Sequence, residues 1–114
     1  MPNPPKDPVV LFEKAADAFN MIKHGEIKPI LINNRPFGLA RIQTTLYIFD
    51  RACPHAGYDL TTGKLSPLGT VVCPWHNYQF QLASGQEISE RCKSLHIAQV
   101  FTNADGQMCY TPWT

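Results

Sequence analysis

Two segments of this 114-residue chain, Cys53-Pro54-His55 and Cys73-Pro74-Trp75-His76, constrain it more than the rest of the sequence together. Each sets one cysteine and one histidine on a short stretch containing proline, and 17 residues (56–72) separate the two pairs. Proline fixes its own φ and biases the preceding cysteine toward an extended backbone, which shapes each segment into a turn. Two thiolates with two imidazoles suit either a tetrahedral zinc ion or an iron–sulfur centre. The spacing separates these options. Structural zinc sites usually pair donors across two to four intervening residues. A cysteine and a histidine with a single spacer chelate one small ion awkwardly, yet can reach two adjacent irons. The candidate ligands are therefore Cys53, His55, Cys73 and His76, with a two-iron, two-sulfur cluster as the expected cofactor and a zinc-binding interaction module as the remote alternative.

The flanks extend the pattern. Cys53-Pro54-His55-Ala56-Gly57, then Cys73-Pro74-Trp75-His76, then Tyr78-x-Phe80 and Ser84-Gly85, resembles the signature of the Rieske iron–sulfur family along its whole length. The resemblance covers residues 9–110; it is specific in two loops, about 51–58 and 71–80, and pattern-level elsewhere. It implies an all-β fold of small antiparallel sheets, with a sandwich- or barrel-like base and a cluster-binding subdomain of two loops at one tip. It also implies that the cysteines hold one iron and the histidines the other, each loop giving one ligand to each metal. The function it implies is that of a soluble one-electron carrier, passing electrons from a flavin-dependent reductase to a terminal oxygenase. Rieske-type ferredoxins of ring-hydroxylating dioxygenase systems do this; the alternative is a small Rieske subunit of another redox complex, such as a nitrite reductase. An enzyme is not expected. Rieske oxygenases need a second iron held by two histidines and a carboxylate, and only His24 and His96 remain beyond the candidate ligands.

Departures from the family pattern carry information of their own. Respiratory and photosynthetic Rieske proteins have an extra cysteine in each loop, and these form a disulfide; Tyr58 and Trp75 stand at those positions here. Trp75 is expected to cover the cluster or pack between the loops. High-potential members also hydrogen-bond the sulfurs through a serine and a tyrosine hydroxyl. Tyr78 and Phe80 match those positions, and Phe80 has no hydroxyl to donate. Such bonds stabilise the more negative reduced cluster, so their loss places the midpoint near the low end of the Rieske range, about −150 mV. Asn77 replaces a glycine common in the family, and asparagine tolerates the left-handed backbone region that a turn there needs. Gly57 gives the first loop the same freedom.

The remaining sequence fits a single domain over 9–114, preceded by a proline-rich arm over 1–8 that is expected to be flexible. A chain of this length buries roughly two-thirds of its unfolded surface. The net charge of +1 favours neither nucleic acid nor an acidic membrane surface. The opening residues lack an apolar stretch and nothing reaches the roughly 20 apolar residues of a membrane span, so a cytoplasmic monomer is expected. Period-two alternation predicts strands over 30–32, 37–42, 45–49, 68–72, 78–82, 95–101 and 107–110. Residues 33–35 and 103–106 read as hairpin turns. Phe12, Ala15, Ala16, Phe19 and Ile22 fall at helical spacing, which predicts a short helix of fewer than three turns within 12–23. Cys92 and Cys109 read as ordinary buried or half-buried cysteines. His24 and His96 read as structural or surface residues, and Arg51 as a solvated charge, with docking of a partner near the cluster face as the alternative.

Overall fold

Alternating side chains build the centre of the fold. In the computed structural model, which describes residues 7–113, a four-stranded antiparallel sheet runs in the order β2 (Ile27–Ile32), β3 (Arg35–Ile42), β4 (Thr45–Asp50), β8 (Ile97–Gln99). The β2–β3 hairpin turns through Asn33 and Asn34, both at positive φ (51° and 64°), the requirement of a two-residue turn that matches strand twist. The pleat of β3 and β4 sends Phe37, Leu39, Leu46 and Ile48 into one core and Ala40 and Phe49 into another. One sheet thus serves two cores.

The first core lies between this sheet and a second one, ordered β1 (Val9–Phe12), β10 (Met108–Tyr110), β9 (Phe101–Thr102). It also receives Ala18 of helix α1 (Ala15–Met21) and Ile22 just beyond it, both fully buried. Seven residues with no side-chain cap at Lys14 are too few to be helical alone, so packing holds α1 in place. The second core lies under a small sheet of β5 (Lys64–Ser66), β6 (Thr70–Val72) and β7 (Gln79–Gln81). Leu60, Val71, Phe80, Leu82 and Leu95 fill it together with Cys53 and Cys73. All this is the all-β architecture expected, with one short helix.

Four strands differ from expectation. The strand foreseen over 68–72 begins only at Thr70, because Gly69 takes φ 78° and leaves Leu68 82% exposed in a turn. The strand foreseen over 95–101 divides into β8 and β9, which belong to different sheets. Buried Val100 sits at the crossing and donates its N–H to the Leu46 carbonyl at 2.8 Å. Strands β1 and β5 were not foreseen, since Val9–Phe12 is apolar throughout and Lys64–Ser66 has a single apolar residue, so neither alternates. The hairpin over 103–106 is present, with the Asn103 side-chain oxygen accepting from the N–H groups of Asp105 and Gln107. Of the expected arm over 1–8, residues 1–6 lie outside the described residues.

Gly85 and Gly106 separate two costs of replacing a glycine. Both have positive φ, 80° and 79°. A Cβ at Gly106 would meet open space, whereas one at Gly85 would collide with the Leu95 carbonyl. Gly106→Ala should cost only the left-handed backbone penalty, about 1 kcal/mol. Gly85→Ala adds a backbone clash and should cost on the order of 3 kcal/mol. Urea unfolding midpoints of the two variants should therefore differ clearly; equal midpoints would contradict this packing of Gly85.

Candidate metal centre

Two loops rise from the second core, and they close in the same way. In the first, the Cys53 N–H donates to the Tyr58 carbonyl at 2.8 Å, with Gly57 at φ 74° making the turn. In the second, the Cys73 N–H donates to the Tyr78 carbonyl at 2.7 Å, with His76 and Asn77 at φ 61° and 56°. The left-handed turn expected at Asn77 is present and begins one residue earlier. An isolated bridge from Ala52 to Asp59 ties the base of the first loop, and strands β6 and β7 tie the second.

This closure sorts the four candidate ligands by depth. Cys53 (2% exposed) and Cys73 (0%) belong to the second core, while His55 and His76 are exposed at the tip. Burial pushes the Cys73 thiol up to about 11; a hydrogen bond with the Trp75 backbone opposes this, and the hydrogen-bonded Cys53 thiol reinforces it. Left to itself Cys73 is a neutral thiol at neutral pH. A metal centre would supply the positive charge that makes thiolates stable there, releasing protons as it binds. The imidazole rings of His55 and His76 stand 6.2 Å apart, centroid to centroid, at 67°. Two thiols in the core and two imidazoles exposed above them are a donor set that fits a two-metal cluster.

Aromatic contacts join the loops. Tyr58 stacks on Trp75 (4.9 Å, 10°) at the positions matched to the disulfide cysteines of respiratory and photosynthetic Rieske proteins, so Trp75 packs between the loops as foreseen. Trp75 also meets the His76 ring edge-on at 4.6 Å. His55 stacks on Tyr78 across the loops (4.0 Å, 15°). Beyond Tyr78 lies a pair the sequence reading missed. The Arg91 guanidinium sits over the Tyr78 ring at 3.9 Å and bonds buried Glu87 through two nitrogens, at 2.8 and 3.0 Å. Glu87 also accepts the N–H groups of Gln79, Ser89 and Arg91. The only signal in the sequence was opposite charge four residues apart, a pattern that is usually solvated.

The other singled-out residues stand apart from this centre, with one correction. The Arg51 guanidinium donates to the carbonyls of Ile30 (3.0 Å) and Phe37 (3.3 Å). It clamps the central sheet instead of offering a charge to a partner, because those carbonyls supply the acceptors a half-buried guanidinium needs. His24 accepts the Gln43 N–H, and His96 pairs with Asp50 on the surface at 3.0 Å. Cys109 is buried on β10; Cys92 is half-buried beside the second core.

A family model, the Rieske [2Fe-2S] domain, matches residues 13–100. The chain belongs to the Rieske family. Its cofactor is accordingly a [2Fe-2S] cluster. A curated relative, the ferredoxin component of the alkene monooxygenase system of Xanthobacter autotrophicus, is 28% identical over 65 residues, covering 57% of this chain and 53% of that protein. The match thus spans about half the length of that relative. Solved structures share the fold at low identity. One is a chain in the complex of reduced oxygenase and oxidized ferredoxin in carbazole 1,9a-dioxygenase, with TM-score 0.69, 21% identity, and 90% and 100% of the two chains covered. Another, described as an NADH-dependent nitrite reductase small subunit from Mycobacterium tuberculosis, gives TM-score 0.74 at 14% identity over 96% and 97%.

The environment of Glu87 makes a pH-dependent prediction. Its hydrogen bonds with the Arg91 side chain, against an opposing burial effect and with help from backbone N–H groups, lower its pKa from 4.5 to about 2. A carboxyl depressed in the folded state contributes stability above its unfolded pKa and loses that contribution as pH falls toward the folded one. Wild-type Tm should therefore fall between about pH 5 and pH 2 partly through this group. Glu87→Gln should show a shallower acid fall over the same interval in thermal melts, from a lower starting stability.

Proposed function

We propose that this Rieske protein is a one-electron carrier in which Cys53 and Cys73 hold one iron of the cluster and His55 and His76 the other. It would take electrons from a flavin-dependent reductase and deliver them to a terminal oxygenase. The observation that carries this reading is the division of the donors, with both thiols in the core and both imidazoles exposed at the tip. The cluster, when bound, supplies a reversible one-electron site. The protein's part is to hold it in place. Loop closure at Cys53 and Cys73 fixes the sulfurs within an apolar core, and the stacks on Tyr78 and Trp75 fix the two imidazole planes where a partner can approach.

A carrier role is supported over catalysis by what the other histidines do. His24 and His96 are engaged at separate places on the surface, not paired with a carboxylate facing the tip. The oxygenase as acceptor follows the ferredoxin–oxygenase complex found for a structural neighbour. A place as the small subunit of a nitrite reductase is the second reading, favoured by the fold match to such a subunit.

Protein produced with iron available should be red-brown, with about two irons and two acid-labile sulfides per chain. Alanine at Cys53, His55, Cys73 or His76 should abolish or cripple cluster assembly, because metal binding and local folding are coupled at such sites. Serine at Cys92 or Cys109 should leave it intact. Iron and sulfide assays decide this, and a colourless protein with one tight zinc would sink the assignment. Phe80 is fully buried and has no hydroxyl, so protein-film voltammetry should give a midpoint near −150 mV. A value above about +200 mV would instead indicate a quinol-oxidising type.

A further inference from the structure

The segment between β7 and β8 contains a charged pair that the electron-carrier reading does not use. Glu87 is 1% exposed, and its two oxygens take five hydrogen bonds, two of them from the Arg91 side chain. Burying a carboxylate is costly unless it is fully satisfied, and this one is satisfied in a way that orients a cation. The guanidinium plane, held from below by Glu87, lies 3.9 Å from the centre of the Tyr78 ring. Tyr78 in turn lies nearly parallel to His55 at 4.0 Å. The result is a stack running from carboxylate to guanidinium to phenol to imidazole. It joins a fully buried anchor to an exposed ring.

We propose that Arg91 is a positioning residue for His55: held by Glu87, it presses the Tyr78 ring onto the imidazole and keeps one positive charge behind it. The proposal rests on His55 being a cluster ligand. Two physical effects follow. The first is orientation. His55 is exposed and its loop is closed by backbone bonds at Cys53 and Gly57, so ring stacking supplies what those bonds leave free. A planar, forked guanidinium can satisfy Glu87 along its edge while stacking on Tyr78 with its face, which the ammonium of lysine cannot do. The second is electrostatic. A cation near the cluster favours the reduced, more negative state, and Arg91 is the charge of the pair that faces the ring. With Arg91 partly exposed, solvent keeps this effect modest.

The test uses cluster-loaded protein and three variants: Arg91→Gln, Arg91→Lys and Arg35→Gln. Arg35 lies over Phe37, beside the first core, and its loss removes the same charge at a distance. Each protein is assayed for iron and sulfide, midpoint potential at pH 7, and the electron paramagnetic resonance spectrum of the reduced state. Arg91→Gln should keep its cluster, with the reduction equilibrium shifted about threefold toward the oxidised form, ~28 mV at 59 mV per tenfold for one electron. Its resonance lines should broaden as the His55 plane becomes less uniform. Arg91→Lys should recover most of the potential but not the narrow lines. Arg35→Gln should change neither.

An Arg91→Gln protein with a full cluster, an unmoved midpoint and unchanged line shape would overturn the proposal. If that variant does not accumulate, Arg91→Lys decides: a line shape identical to wild type overturns the proposal and a broadened one supports it. Equal shifts in Arg91→Gln and Arg35→Gln would mean that net charge alone acts, and would also overturn it. A His55→Ala protein that retains the whole cluster would be a different failure, that of the ligand assignment itself.

Discussion

The centre of this protein depends on one backbone arrangement used twice: a cysteine N–H donated to the carbonyl of a tyrosine five residues on. Each of these bonds, Cys53 to Tyr58 and Cys73 to Tyr78, folds its loop back so that the cysteine side chain enters the core and the histidine remains outside. A buried N–H left without a partner would cost about as much as a lost hydrogen bond. The closure therefore satisfies the backbone and sorts the donors at the same time. The same pair of tyrosines then does a second task, since their rings stack across to the opposite loop, on Trp75 and His55.

The rest of the fold makes this arrangement rigid. The central sheet is shared by two cores, so the surface carrying the loops is backed by β3 and β4, which are themselves packed from behind by β1, β10 and α1. Arg51 fastens the chain just before the first loop to the carbonyls of Ile30 and Phe37. Tight packing of this kind has little room to relax. It suits a redox centre, whose surroundings should change little when one electron arrives. Where respiratory and photosynthetic Rieske proteins join their loops through a covalent bond, this chain uses ring contacts between Tyr58 and Trp75. Such a contact contributes roughly 0.5–1.5 kcal/mol beyond the area it buries, less than the 2–4 kcal/mol typical of a disulfide.

Several features of the structure were legible in the residues. The alternation over 45–49 predicted a strand, and β4 sends Leu46 and Ile48 to one core and Tyr47 and Phe49 to the other. The helix within 12–23 was foreseen as short, and it spans Ala15–Met21. Asn77 was read as tolerating a left-handed turn and stands in one. Errors fell where local pattern carries no record of partner choice. Residues 95–101 read as one strand because no glycine, proline or other turn former interrupts them, yet the chain changes sheets at Val100. Arg51 read as a free charge because no sequence neighbour accepts its hydrogens; its acceptors lie 14 and 21 residues away.

By itself the sequence determined the candidate donors: two cysteines and two histidines, their spacing, and the prolines and turn formers that place each pair on a loop. Those are local properties, set by side-chain type and by backbone restrictions acting over a few residues. Tertiary structure alone decided which donors lie deep and which at the surface, and that Tyr58 meets Trp75 while Tyr78 meets His55. It also decided that Glu87 and Arg91, a pair indistinguishable in sequence from any solvated one, stand directly behind a candidate ligand. Contacts of that kind depend on how two loops and a third segment pack over a common core. No single stretch of chain encodes them, because each needs a partner brought from elsewhere by the fold.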